Sequence, residues 1–210
     1  CLIETGLGGR LDATNVLPSK KISAITKIGY DHEDFLDNDL KKITLEKCGI
    51  IKKNTPVVIG YQNKKGVKDI IIKNAIKKQS KIISLYKIPK NWKLGLDGIH
   101  QYENATIAVT ALKQYFFDID TKTIKKGLEK ASWDGRIQKI NRGKLVSKRK
   151  NITLIDGAHN LDGALALSNH LKTLKPQKWT LIIGMLKNKN AEGFLKILRS
   201  QIDKVFTIPI

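Results

Sequence analysis

The sequence predicts an α/β protein built on parallel sheets. Short apolar runs rich in Ile and Val alternate with stretches whose apolar residues recur at helical spacing. The last third reads strand–helix–strand–helix–strand, the pattern of a parallel unit. Several of the predicted strands end in turns that carry Gly, Asp, Glu or His, where open parallel sheets bind ligands.

The opening Cys1-Leu2-Ile3 reads as an apolar strand running into Glu4 and a glycine-rich turn. Ile22 to Ile28 is a β-branched strand ending at Gly29-Tyr30-Asp31-His32. Asp39 to Lys47 reads as a short helix stopped near Gly49, and Thr55 to Ile59 as the next strand. Asp69 to Lys78 is a lysine-decorated helix, and Ile82 to Leu85 a short strand. Pro89 and several glycines break the piece from Tyr86 to Gly98. Asn104 to Tyr115 sets Ile107, Ala108, Ala111, Leu112 and Tyr115 on one helical face. Thr121 is the expected cap of a helix reaching about Lys130, with Ile124 and Leu128 inward.

After Trp133-Asp134-Gly135-Arg136 a basic stretch poor in apolar residues runs to Lys150. The domain boundary is placed there, giving units 1–138 and 139–210. The second unit opens with Ile152 to Ile155, read as a buried strand, and turns at Asp156-Gly157-Ala158-His159-Asn160. A helix from Leu161 to about Lys172 follows, then a strand from Trp179 to Ile183. An Asn190-capped helix runs to about Ile202, and a strand from Val205 to Ile208. An opening in mid-strand without Met, and a sheet that stops early, lead us to expect a piece of a longer chain.

Of the 210 residues, 41% are hydrophobic and 28% charged, which excludes fibrous, collagen-like and wholly disordered chains. No uninterrupted run of about 18 apolar residues exists, and no signal peptide is visible, so no membrane partner is expected. Two cysteines, Cys1 and Cys48, cannot build a disulfide framework or a zinc site, and a reducing cytoplasm is the expected setting. The net charge of +20 invites a nucleic-acid reading. Only five of the 39 basic residues are Arg, however, and aromatics make up 6%. Base and phosphate readers favour Arg's rigid fork and stacking aromatics. The lysines are spread through every segment, so no nucleic-acid partner is expected; acidic substrates would gain from the field.

Four segments could carry chemistry. Glu4 stands before Thr5-Gly6-Leu7-Gly8-Gly9-Arg10-Leu11-Asp12, where a carboxylate suits a hard cation such as Mg²⁺, or is a surface Glu in a plain turn. His32 closes the next strand, where a parallel neighbour would bring it near Glu4; alone it reads equally as a surface histidine. Lys47 sits on the helix that follows, and composition alone gives it no distinction. Asp156 and His159 occupy a strand–turn–helix site that can meet a phosphate or ribose; the plain alternative is that Asp156 or Asn160 caps the helix.

In order along the chain, these residues resemble the folylpolyglutamate synthase and dihydrofolate synthase family, within the Mur ligase superfamily. Glu4 to Val16 (ETGLGGRLDATNV) looks like the family signature. Ile25 to Leu36 (ITKIGYDHEDFL), Ile43 to Lys52 (ITLEKCGIIK) and Gly98 to Ala105 (GIHQYENA) are similar to further family motifs. So are Trp133 to Arg136 and Ile155 to Asn160 (IDGAHN), and Ile183 to Lys189 resembles the strand and loop that follow. The resemblance departs at Cys48, where Ala is usual. The family's phosphate loop and pterin-binding region belong upstream, so the 210 residues alone are expected to lack ligase activity.

The resemblance implies part of a parallel-sheet Mur-type ATPase domain followed by a smaller, truncated Rossmann-like α/β domain. It implies an ATP-dependent amide ligase that adds L-glutamate to dihydropteroate, to folylpolyglutamate or to both through an acyl phosphate. By position, Glu4 and His32 resemble Mg²⁺ ligands, and Lys47 resembles a lysine that takes up CO₂ as a carbamate. Asn104, Arg136, Asp156 and His159 resemble ATP contacts, and Arg10 and Leu11 lie where the pterin approaches. Lys52 is expected to tolerate Ala. A monomer with only small-molecule partners is expected. The rivals are another Mur-type ligase, such as one building the peptidoglycan stem peptide, and a non-enzymatic polyanion binder.

Overall fold

The structure, a computed structural model, describes residues 1–17, 21–30, 39–144 and 152–210. Its elements run β1 (Ser23–Ile25), α1 (Leu40–Cys48), β2 (Val57–Ile59), α2 (Val67–Lys77), β3 (Ile82–Ile83), α3 (His100–Tyr115) and α4 (Thr121–Lys130). Then come β4 (Gln138–Lys139), β5 (Leu154–Ile155), α5 (Leu161–Thr173), β6 (Trp179–Ile183), α6 (Ala191–Leu198) and β7 (Ile202–Thr207). They fall into two units: Cys1–Lys90 with Glu103–Ile124, and Asn91–Tyr102 with Lys125–Ile210. No helix among the described residues is long and apolar enough to cross a membrane.

In the first unit β1, β2 and β3 lie side by side in that order, all parallel, with Ser23 opposite Val57 and Val57 opposite Ile82. The central strand β2 is buried at all three residues, as befits a β-branched run in a parallel sheet. The crossovers α1 and α2 bring Ile43, Cys48, Ile71 and Ala75 into one core with Ile25, Val57 and Ile59. Each large aliphatic side chain so buried stabilises by about 1.5–3 kcal/mol. Asp39 caps α1, its carboxylate accepting from the Lys41 and Lys42 amides at 2.8 and 3.4 Å.

The expected strand to Ile28 ends at Ile25, and a side chain is the reason. The Gln62 amide oxygen accepts from the Ile28 N–H at 2.9 Å, and its nitrogen donates to the Thr26 and Gly60 carbonyls at 2.8 and 3.1 Å. Gln62 thus takes the place of a neighbouring strand's backbone. Cys1-Leu2-Ile3, expected as a strand, forms none: it pairs with no strand among the described residues, and Leu2 is 98% exposed.

Helix α3 starts at His100, four residues before the expected Asn104. Its buried residues include Ala105, Ile107, Val109 and Thr110, whereas Ala108 and Tyr115 of the expected face are exposed. Thr110 tolerates burial because its hydroxyl donates to the Thr106 carbonyl at 2.6 Å and accepts from the Tyr86 amide at 2.9 Å. At α4 the cap is Asp120 rather than Thr121, its carboxylate accepting from the Thr123 amide and hydroxyl, both at 2.7 Å.

In the second unit β6 and β7 pair in parallel, with Leu181 opposite Val205. Helices α5 and α6 cover one face through Ala164, Leu171, Phe194 and Leu198, joined by Trp179, Leu181 and Ile183 from β6. Asn160 caps α5 and Asn190 caps α6, each accepting at 2.8 Å from a glycine amide three residues on. Helix α6 closes in a tight turn over Arg199–Gln201, so β7 begins at Ile202 rather than Val205. The opening strand differs from expectation. β5 pairs antiparallel with β4, Gln138 opposite Ile155, and Ile152 and Ile155 are 39% and 50% exposed instead of buried. The hydrogen bonds from the Ile140 amide to the Thr153 carbonyl (2.9 Å) and from the Ile137 amide to Asp156 (2.8 Å) extend this pairing on both sides.

Candidate active site

The glycine-rich loop of the first unit is seated on the last turn of α1. The Arg10 amide donates to the Glu46 carbonyl at 2.8 Å, and the Arg10 Nε to the Glu46 carboxylate at 2.8 Å. Gly9, at φ +153°, lies so close that a Cβ there would fall 2.6 Å from the Glu46 carbonyl oxygen and 3.1 Å from the Lys47 Cα. Gly49 in turn has no room for a Cβ against the Arg10 backbone. The contact therefore needs bare backbone on both sides.

The rest of the loop is tied from within and from behind. Asp12 accepts from the Gly6 and Leu7 amides at 3.0 and 2.9 Å, and from the Thr14 amide and hydroxyl at 2.9 and 2.5 Å. These bonds, led by that from Leu7 and then the Thr14 hydroxyl, lower its pKa to about 2. Asn15 donates to the Arg10 and Gly49 carbonyls at 3.0 and 3.1 Å. Lys52 donates to the Asn15 carbonyl at 2.8 Å. Lys52, expected to be dispensable, is thus a tie between loop and scaffold. Glu46 and Asn15 were not singled out from the sequence, and Lys52 was named only as a residue expected to tolerate Ala; Asp12 was quoted only as part of the turn, where Asp12-x-Thr14 carries the local signal of an Asx turn.

Of the expected residues here, Glu4 is exposed, Leu11 is 79% exposed, and Lys47 is half-buried. His32 lies outside the described residues. Among the described residues no group of three or more His, Cys, Asp or Glu gathers to hold a metal. Burial pushes the neighbouring Cys48 thiol up to about 11, so it is a packing residue rather than a nucleophile.

In the second unit the Asp156 turn is a backbone clamp. One carboxylate oxygen accepts from the Ile137 amide at 2.8 Å and the other from the Ala158 amide at 2.9 Å. The Gly157 amide donates to the Gly135 carbonyl at 2.7 Å. Asn160, not Asp156, is the helix cap. His159 is exposed, its Nδ1 2.9 Å from the Gly157 carbonyl. Arg136 is exposed beside Ile137, and Asn104 is exposed on α3.

Parallel sheets, a glycine-built loop on a helix end and a clamped strand–turn–helix define a class of α/β proteins whose loops, not cores, carry the site. The model of the dihydrofolate synthetase C-terminal domain matches residues 138–209. A dihydrofolate synthetase of Saccharomyces cerevisiae is 36% identical over 98% of this chain and 53% of its own length. A dihydrofolate synthase/folylpolyglutamate synthase of Haemophilus influenzae is 33% identical over 97% of this chain and 52% of its own. The Mycobacterium tuberculosis folylpolyglutamate synthase solved with ADP and AMPPCP superposes with a TM-score of 0.81 at 25% identity, over 97% of this chain and 50% of that one. A folylpolyglutamate synthase–AMPPCP–folate complex gives 0.83 at 27% identity, over 99% and 55%. The chain belongs to the dihydrofolate synthase/folylpolyglutamate synthase family. It spans about half the length of the relatives it matches.

Proposed function

We propose that this chain contributes to an ATP-dependent amide ligase that adds L-glutamate to dihydropteroate, to a folylpolyglutamate or to both. The observation that supports this most is the loop from Gly6 to Asn15, seated through Gly9 on the Lys47 turn of α1. In the reaction a carboxylate oxygen attacks the γ-phosphorus of ATP, and ADP leaves. The glutamate nitrogen then attacks the acyl carbon, phosphate leaves, and the amine gives up a proton. A carboxylate is a poor electrophile, so the protein's share is to position the reactants and neutralise charge.

The residues assigned to ATP are Asn104, Arg136, Asp156 and His159, with a central ATP-binding part over 1–138 and a glutamate-ligase part over 139–210. Leu11, exposed on the loop, offers an apolar contact to a pterin ring, with Arg10 beside it held by Glu46. Glu4 and His32 would hold Mg²⁺, together with Lys47 as its carbamate. The Glu4 carboxylate and a Lys47 carbamate would supply the oxygen donors that suit a hard cation. When bound, the ion would neutralise phosphate charge. The last turn of α1 favours a cation at Lys47, so a carbamate there needs positive partners, which the ion would supply. We further propose a cytoplasmic monomer with no nucleic-acid or membrane partner. The test is glutamate-dependent ADP release by the full-length protein with dihydropteroate and with tetrahydrofolate; release independent of both would refute the reading.

A further inference from the structure

We propose that Ile137 and Asp156 are positioning residues that fix the direction in which Arg136 projects; this rests on the reading of Arg136 as an ATP contact. Arg136 lies between two residues in the left-handed region, Gly135 at φ +72° and Ile137 at φ +50°. Glycine adopts that region freely, but a β-branched residue does so only when its surroundings force it. Ile137 is forced from two sides. Its amide donates to Asp156 at 2.8 Å. Its side chain is 2% exposed, and its Cδ1 lies 3.2 Å from where a Cβ on Gly98 would stand. Gly98, at φ +109°, leaves that space open.

Gly135 is held as firmly. Its carbonyl accepts from the Gly157 amide at 2.7 Å, and its amide donates to Gln138 Oε1 at 3.0 Å. Gln138 Nε2 donates onward to Asp134 at 2.6 Å. The backbone is therefore tied immediately before and after Arg136, whose side chain is exposed. Asp156, counted above among the ATP residues, has one oxygen on Ile137 and the other on Ala158, and so serves the nucleotide through this backbone rather than by touching it. Strain kept at a buried Ile next to a phosphate-competent arginine is the mark of a pre-set geometry.

The test is a double-mutant cycle on ATP affinity in the full-length protein, read by calorimetry below the melting temperature. Asp156→Asn leaves one acceptor for two N–H groups, and should weaken ATP binding about tenfold, the usual effect of losing a charged hydrogen bond. Ile137→Gly, which permits the same φ without confining it, should weaken binding likewise. In the Arg136→Ala background both changes should have no further effect, and Asp156→Asn without nucleotide should speed hydrogen exchange at the Ile137 amide. If Asp156→Asn keeps its full effect in that background, Asp156 touches the nucleotide itself and the inference is overturned. If Arg136→Ala alone leaves ATP affinity unchanged, the ATP reading of Arg136 fails, and the inference falls with it.

Discussion

Lys47 is one of 39 basic residues, set apart by the run it lies in and, in the structure, by its place on the last turn of α1 under Gly9. The carbamate proposed for Lys47 would join CO₂ to the neutral amine with loss of a proton. Once formed it inverts the sign of the side chain. Lys47→Ala should cut turnover by at least on the order of a hundredfold, and acetate should restore part of it by filling the same space. Lys53, exposed, is the suitable control in place of Lys52. Wild-type turnover in Lys47→Ala would remove the carbamate from the mechanism.

Asp12 gives a prediction in pH. Its pKa is lowered on folding to about 2, so its contribution is present above the ordinary value of 3.8 and is lost as pH falls through about 2. Its carboxyl carbon, followed by NMR, should titrate near 2; a midpoint near ~4 would mean that the loop bonds to Leu7 and Thr14 are absent in solution. At this scale the sequence marked Glu4, Arg10 and Lys47, because each lies in a recognisable run. It did not mark Glu46 as Arg10's partner, or Lys52 as Asn15's. Those pairs are 36 and 37 residues apart and meet only when the chain folds.

Among elements, the end of β1 depends on one side chain. Gln62 satisfies Ile28, which is 2% exposed, and two carbonyls besides. Gln62→Ala leaves a buried N–H unpaired and should destabilise the protein by about 1–3 kcal/mol, seen as a lower denaturant midpoint at unchanged slope. A loss within about 0.5 kcal/mol would show that water replaces the amide. Most helices were readable from capping residues and periodicity, with Asp39, Asn160 and Asn190 serving as caps, but α3 starts at His100 rather than Asn104 and Asp120 rather than Thr121 caps α4. Strand ends were not. β1 is shortened by a residue 34 positions away from Ile28, and β5 chose β4 as its partner because bonds at Ile137 and Ile140 flank that pairing.

At the scale of the chain, the net charge of +20 on these 210 residues sets a long-range field that favours anionic ligands. Between ~0.1 M and ~1 M salt the screening length falls from ~10 Å to ~3 Å, so the KM for ATP of the full-length protein should rise several-fold. A flat salt profile would show that the dispersed lysines do not steer ATP, and tight salt-sensitive binding to DNA would favour the polyanion reading instead. The sequence by itself determined the α/β class, the alternation of elements and the ordered loop motifs that carry the family, because apolar period, caps and glycine turns are local. Only the tertiary structure decided which lysine ties the loop, that Asp156 clamps a backbone rather than capping a helix, and that Ile137 stands at positive φ. Those outcomes turn on hydrogen bonds and close contacts between segments distant in the chain, where spacing in sequence carries no information.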